Sequence, residues 1–231
     1  MEYLSDIELY FCKTKNFEKN FFVLEGEEFK HCTKVMRNKV GYKIFATDGV
    51  GNIYEASIEK IDKDSLTAKI LNVRTYHNNS ENITFCIPNL KNPERLKFAL
   101  EKCTELGITD FIIFNSSRTI NKNVNIERLN KIVLAALKQS LRAHLPKIQF
   151  KDHLNDINKT NKKIIVFDQH GQTDLISFSF SENEEYMFVF GPEGGLTIDE
   201  KDLLNPTATL KLSDNRLRSE TAIIKAASIL L

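Results

Sequence analysis

Hydrophobic and polar positions change their rhythm once along this chain. Up to about residue 75 the apolar residues fall in short runs rich in β-branched and aromatic side chains: Val40–Thr47, Asn52–Ile61 and Ser65–Val73. Asp48-Gly49-Val50-Gly51 and Asp62-Lys63-Asp64 separate them, both with good turn chemistry. A short helix is predicted before them, over Glu27–Arg37. This part reads as a small β-barrel or sandwich. Residues 76–82 are polar after Tyr76 and form the best linker. From Ile83 onward, strand-like runs alternate with helix-like segments. The runs are Ile83–Ile87, Asp110–Phe114, Lys163–Phe167, Tyr186–Phe190 and Ala208–Leu212. The helical segments are Pro93–Leu106, Asn125–Leu141, Thr197–Leu204 and Ser219–Leu231. Such alternation predicts an α/β fold with a parallel sheet, whose ligands sit beyond the carboxyl ends of the strands.

Composition narrows the function classes. A chain of 231 residues fits one mid-sized domain plus one small one. Lys and Arg number 32 against 31 acids, so a globally basic polyanion binder is excluded while a local basic patch is not. No apolar run approaches the roughly 20 residues of a membrane span. Met1–Asp6 lacks a basic stretch before an apolar one, so no signal peptide is expected. Cys12, Cys32, Cys86 and Cys103 form no Cys-x-x-Cys pair. They are expected as reduced, partly buried core thiols of a cytosolic protein. The five histidines show no ligand spacing, so no metal is expected. A serine-hydrolase elbow is absent from the sequence.

Three segments carry candidate chemistry. The first is Gly191-Pro192-Glu193-Gly194-Gly195, directly after a predicted strand. Glycines let a backbone approach a ligand, and the loop offers free N–H groups to it. The spacing of Thr197 and Glu200 predicts a capping box, so a helix starts there. An ordinary tight turn is the plainer alternative; the loop fits neither a Walker motif nor Gly-x-Gly-x-x-Gly, so triphosphate or dinucleotide binding is disfavoured. The second segment is Leu212-Ser213-Asp214-Asn215-Arg216-Leu217-Arg218-Ser219-Glu220. Capping by Ser219, with Glu220 complementing the dipole, explains part of it. It leaves Arg218 unexplained, because a cation at a helix N-terminus is unfavourable. The third is the predicted 125–142 helix, where Arg128, Lys131, Lys138 and Arg142 fall within an arc of about 80°. From Arg118 to Lys151 there are eight basic residues and one acid. That points to a phosphate-backbone contact, with a plain solvated face as the alternative.

In this order, these residues resemble the RsmE family, the 16S rRNA uridine N3-methyltransferases of the SPOUT superfamily. The resemblance covers nearly the whole chain. It rests on His31-Cys-Thr-Lys-Val-Met-Arg37 with Gly41, Asp48-Gly49 and Tyr54, then on Lys102 and Glu105-Leu-Gly-Ile108. Ser117-Arg118, Gln139-Ser140, Arg142 and Pro146 follow. The Gly191–Gly195 loop and Leu217-Arg-Ser-Glu-Thr-Ala222 complete it. One place departs from the pattern: Ser213 stands for a glycine, Asn215 for an arginine, and Arg216 for an aliphatic residue.

The resemblance implies a PUA-like RNA-binding barrel over 1–75, a linker over 76–82, and a SPOUT methyltransferase domain with a trefoil knot over 83–231. It also implies a homodimer acting on 16S rRNA of the small ribosomal subunit, with S-adenosyl-L-methionine as methyl donor and no metal or membrane. On this reading Gly191, Pro192, Glu193, Gly194, Gly195, Leu212, Ser213, Asn215 and Leu217 bind the cofactor. Arg218 contacts the uracil or phosphate, and Glu220 is a candidate base. His31, Arg37, Arg118, Arg128, Lys131, Lys138 and Arg142 meet RNA. Two alternatives stand beside it: a SPOUT 2′-O-ribose methyltransferase, and a non-catalytic RNA-binding or assembly module. The second explains the basic segment but not the Gly-Pro-Glu-Gly-Gly loop.

Overall fold

A computed structural model describes residues 7–119, 123–157, 161–181 and 183–231 and holds thirteen strands and five helices among them; the strands Leu9–Phe11, Phe17–Glu18, Phe21–Glu25, Lys147–Lys151 and Thr173–Asp174 are not among the predicted runs. The Met1–Asp6 reading lies outside the described residues. The chain divides into two compact units, 1–78 with 137–145, and 79–136 with 146–231. The first unit is therefore not one continuous stretch of chain.

In the first unit, strands β1 (Leu9–Phe11), β2 (Phe17–Glu18), β3 (Phe21–Glu25), β4 (Lys43–Thr47), β5 (Asn52–Ile61) and β6 (Ser65–Thr75) form one sheet. Its order is β1-β4-β5-β6-β3-β2, and only the β1–β4 pair is parallel. Alternate residues (Phe22, Leu24, Ile44, Ala46, Ala56, Ile58, Leu66, Ala68) share one core, as period-2 patterning requires. Register shifts at Glu55/Ala56 and Ile58/Lys60 bend β5 against β6.

The helix predicted over 27–37 is shorter and irregular. Helix α1 (Gly26–Lys30) passes into one π-helical turn, His31–Val35, and Arg37 sits at φ 56°. The Asp48 turn is held from within. The Asp48 carboxylate accepts from the Val50 and Asn52 amides at 2.9 and 3.1 Å, from the Asn52 side chain at 2.7 Å and from the Tyr54 hydroxyl at 3.0 Å. Four donors on one buried carboxylate satisfy its acceptor capacity, which gives Asp48 and Tyr54 a structural role. The same turn receives the 137–145 segment: Leu145 N–H donates to Gly49 O and Gly51 N–H to Ala143 O.

The second unit holds β7 (Ile83–Pro88), α2 (Pro93–Leu106), β8 (Asp110–Phe114), most of α3 (Ile126–Gln139) and β9 (Lys147–Lys151). After these come β10 (Lys163–Phe167), β11 (Thr173–Asp174), β12 (Tyr186–Val189), α4 (Ile198–Leu204), β13 (Ala208–Lys211) and α5 (Ser219–Leu230). The sheet order is β11-β13-β10-β12-β7-β8-β9, and every pair is parallel. Successive residues feed opposite cores. Phe85, Ile87, Phe111, Ile113, Ile165 and Phe188 meet α2, α3 and α5 on one face. Cys86, Ile112, Ile164, Val166, Met187 and Val189 meet α4 on the other. Both faces are covered, so these strands read as continuous apolar runs rather than alternating ones. Helix α2 ends at Gly107, whose φ of 110° only glycine adopts readily.

Candidate functional site

Three loops leave the carboxyl ends of adjacent strands and enclose one cavity of about 680 Å³. The loop after β10 brings Phe167, Asp168, Gln169 and His170. The loop after β12 brings Phe190 and Gly191–Leu196, and the loop after β13 brings Leu212, Ser213 and Asn215–Ser219. Arg95, Lys201 and Ala222 complete the wall. A volume of this size suits a small-molecule ligand. All nine residues expected to bind a cofactor line it, and so does Arg218.

Local chemistry explains the loop shapes. Gly195 has φ 72°, and a Cβ there would meet nothing within 4 Å. The position is thus conformationally strained for other residues and opens on free space. Ser219 Oγ donates to Gly191 O at 3.1 Å and ties the second loop to the third. The expected cap is corrected here: Ser219 is the first helical residue of α5, the N-cap is Arg218, and no side chain caps it. At the departure from the family pattern, Ser213 accepts from the Asn215 amide at 3.2 Å through its hydroxyl. Ser213 is absent from the positive-φ residues, so the backbone there tolerates a side chain.

Two buried or half-buried carboxylates brace the walls. Thr197 and Glu200 form the predicted capping box at the start of α4. Glu200 goes further and accepts from the Ser117 amide at 2.7 Å. Burial pushes its carboxyl up, but the hydrogen bonds from Ser117 and Thr197 together hold it below the usual range. Asp168 pairs with Lys201 and accepts from the His170 amide at 2.8 Å. Burial again opposes, and these partners win, leaving its carboxyl lowered. Asp168 follows a parallel strand directly, a position that itself points to ligand loops; neither it nor Lys201 belongs to a motif. Arg95 escaped notice for the same reason.

The remaining predicted residues are scattered. Arg118 donates to the carbonyls of Gly194 and Gly195, bracing the glycine loop. Glu220 is buried and does not line the cavity; its Oε1 lies 3.5 Å from Arg95 Nε. The basic helix face is corrected: α3 stops at Gln139, Leu141 turns left-handed at φ 55°, and Arg142 leaves the helical arc. Arg128 is paired with Glu94 at 2.9 Å and Lys138 with Glu28 at 2.7 Å. Lys131 is exposed with no ion-pair partner among the described residues. His31 lies edge-on to Tyr10, with Nδ1 3.4 Å from Glu8. Arg37 is exposed. Among the described residues no His, Cys, Asp or Glu cluster is arranged to hold a metal, and no helix is long and apolar enough to cross a membrane.

Fold and site together define a two-unit protein with a ligand pocket at the carboxyl ends of a parallel α/β sheet. Comparison with known proteins gives the class a family. The RNA methyltransferase domain family matches residues 77–231, and the RNA methyltransferase PUA domain matches residues 24–71. Ribosomal RNA small subunit methyltransferase E of Rickettsia conorii is 31% identical over 218 residues, covering 90% of this chain and 88% of its own. The protein of the same name in Bacillus subtilis is 27% identical, covering 90% and 88%. The chain belongs to this RNA methyltransferase family. Its fold matches a crystal structure of Ribosomal RNA small subunit methyltransferase E from Neisseria gonorrhoeae bound to S-adenosyl methionine. The TM-score is 0.84 at 24% identity, with 96% and 95% of the two chains covered.

Proposed function

We propose that the protein methylates N3 of a uridine in 16S rRNA, using S-adenosyl-L-methionine. The observation that carries this is the three-loop cavity, which gathers every residue of the Gly191–Gly195 and Leu212–Leu217 segments expected to hold the donor. The cavity fits such a group: it offers apolar walls in Phe167, Phe190 and Leu196, backbone groups of two loops, and open space beside Gly195. S-adenosylmethionine supplies an electrophilic methyl group when bound.

This chain's residues do the rest. The glycine loop and the 212–217 loop orient the donor, which converts an encounter into a positioned reaction. Arg218 stands exposed at the N-cap of α5, with no carboxylate partner among the described residues. Its charge opposes the helix dipole, so an anionic substrate group is its natural counterpart. There it offsets negative charge developing on the uracil oxygens as the N3 proton passes to solvent water. N3 lies on the pairing edge, so the target base is unpaired or flipped out.

A cytoplasmic homodimer and a knotted C-terminal domain belong to this proposal as the resemblance implies them. Exposed Phe98 on α2 and Leu231 beyond α5 support an interface on those two packed helices.

Calorimetry with S-adenosylmethionine and mass spectrometry of methylated rRNA nucleosides test the reading. Expected results are binding by the wild type, loss of binding in folded Gly195→Asp, and 3-methyluridine as product. Unchanged affinity in Gly195→Asp sinks the cavity assignment. A ribose-methylated product turns the reading to 2′-O transfer.

A further inference from the structure

The Gly191–Gly195 loop has a second side. Pro192, Glu193 and Gly194 also wall a separate cavity of about 540 Å³, completed by Lys91, Asn92, Pro93, Arg95 and Arg118. These residues follow the carboxyl ends of β7, β8 and β12. The cavity thus lies where the strand order turns back, because β7 is flanked by β8 on one side and β12 on the other. That crevice is where open parallel sheets receive ligands.

Like the first cavity, it is lined by an excess of cations. Three cations, Lys91, Arg95 and Arg118, face one carboxylate, Glu193. Lys91 is exposed and has no ion-pair partner among the described residues. Arg95 lines both cavities. Its Nε lies 3.5 Å from Glu220 Oε1, and Glu220 is only 8% exposed. Glu220 Oε2 is buried and meets no hydrogen-bond donor among the described residues. A buried carboxylate with one cation at its side disfavours that cation's departure, which would leave it uncompensated. The terminal nitrogens of Arg95 have no partner among the described residues, and the residue lines both cavities.

Resting on the methyltransferase reading above, we propose that this second cavity binds a phosphodiester of the acceptor RNA. Lys91, Arg95 and Arg118 take its oxygens, and Glu220 is a positioning residue for Arg95 rather than a base. Planar guanidinium groups match phosphate oxygens bidentately, and Lys91 adds a point charge. Glu193 reduces the lining to a net charge of +2, which still attracts a phosphodiester. The shared wall sets a nucleotide anchored here beside the donor pocket.

The test compares full-length wild type with Lys91→Gln and Glu220→Gln. Probes are deproteinised small-subunit rRNA and, separately, S-adenosylmethionine. RNA affinity is read by fluorescence anisotropy against salt without cofactor, donor affinity by calorimetry, and KM and kcat by methyl transfer. Lys91→Gln is expected to lower RNA affinity about tenfold and to flatten the log–log salt slope by about 0.7, the loss of one single-strand phosphate contact. Donor affinity stays within about twofold. Glu220→Gln is expected to raise KM for RNA severalfold with the same donor affinity; a role confined to helix stability moves the melting temperature and leaves KM alone. Unchanged RNA affinity and slope in Lys91→Gln overturns the subsite, as does an equal loss of donor affinity. Lys91 is exposed, so the test survives if Glu220→Gln fails to fold. A wild type that binds RNA with the expected Lys91 dependence but no donor overturns the methyltransferase reading alone.

Discussion

Glu200 shows how one side chain serves two levels of structure. In the capping box one oxygen of Glu200 accepts from Thr197, and its second oxygen accepts the Ser117 amide from another loop. Its folded carboxyl is held below its ordinary range. The resulting stabilisation is present above the unfolded value of about 4 and is lost as pH falls through the lowered folded value. Glu200→Gln is therefore expected to cost about 1.5 to 3 kcal/mol at pH 7, the range for hydrogen bonds to charged groups. Near pH 3 the cost shrinks. Urea melts at both pH values check this, and an equal cost at both rules out the charge as its source. Asp168 contributes with the same sign, so the wild type still weakens in acid.

At the scale of elements, α3 is the instructive case. Periodicity predicts one continuous basic face, but a face on a helical wheel becomes a patch only if its charges stay unpaired. Glu94 and Glu28, distant in sequence, take Arg128 and Lys138. The helix ends before Arg142. Lys131 is the member left exposed without an ion-pair partner among the described residues. Lys131→Glu is expected to weaken rRNA binding and reduce the salt slope by about 1 or more. Arg128→Gln, which frees Glu94 from its pair, changes the slope less. Anisotropy titrations decide, and a wild-type slope in Lys131→Glu leaves this helix as a solvated surface.

For the whole molecule, Arg218 at the N-cap of α5 requires a counterpart. Within one chain nothing described neutralises it, so its counterpart arrives with the substrate or with a second copy. Arg218→Ala is expected to keep the fold, the size-exclusion mass and the donor affinity. Turnover falls by roughly 30- to 1,000-fold, about 2 to 4 kcal/mol. A change in mass instead assigns Arg218 to a subunit interface, and full activity removes it from the site.

Local chemistry in the sequence determined the helices and eight of the thirteen strands among the described residues. Asp110–Phe114, Lys163–Phe167 and Pro93–Leu106 form with the predicted bounds, because a doubly covered parallel strand is a continuous apolar run and a helix carries its own cap at Asn92 and stop at Gly107. Two of the three loops around the larger cavity were legible too, since glycines and a strand-to-helix passage mark them locally. Only the tertiary structure decided which charges remain free, that 137–145 belongs with the first unit, and that Arg95, Asp168 and Lys201 reach the same walls. Those facts depend on groups far apart in the chain meeting across packed elements, and no periodicity within a segment encodes a partner outside it.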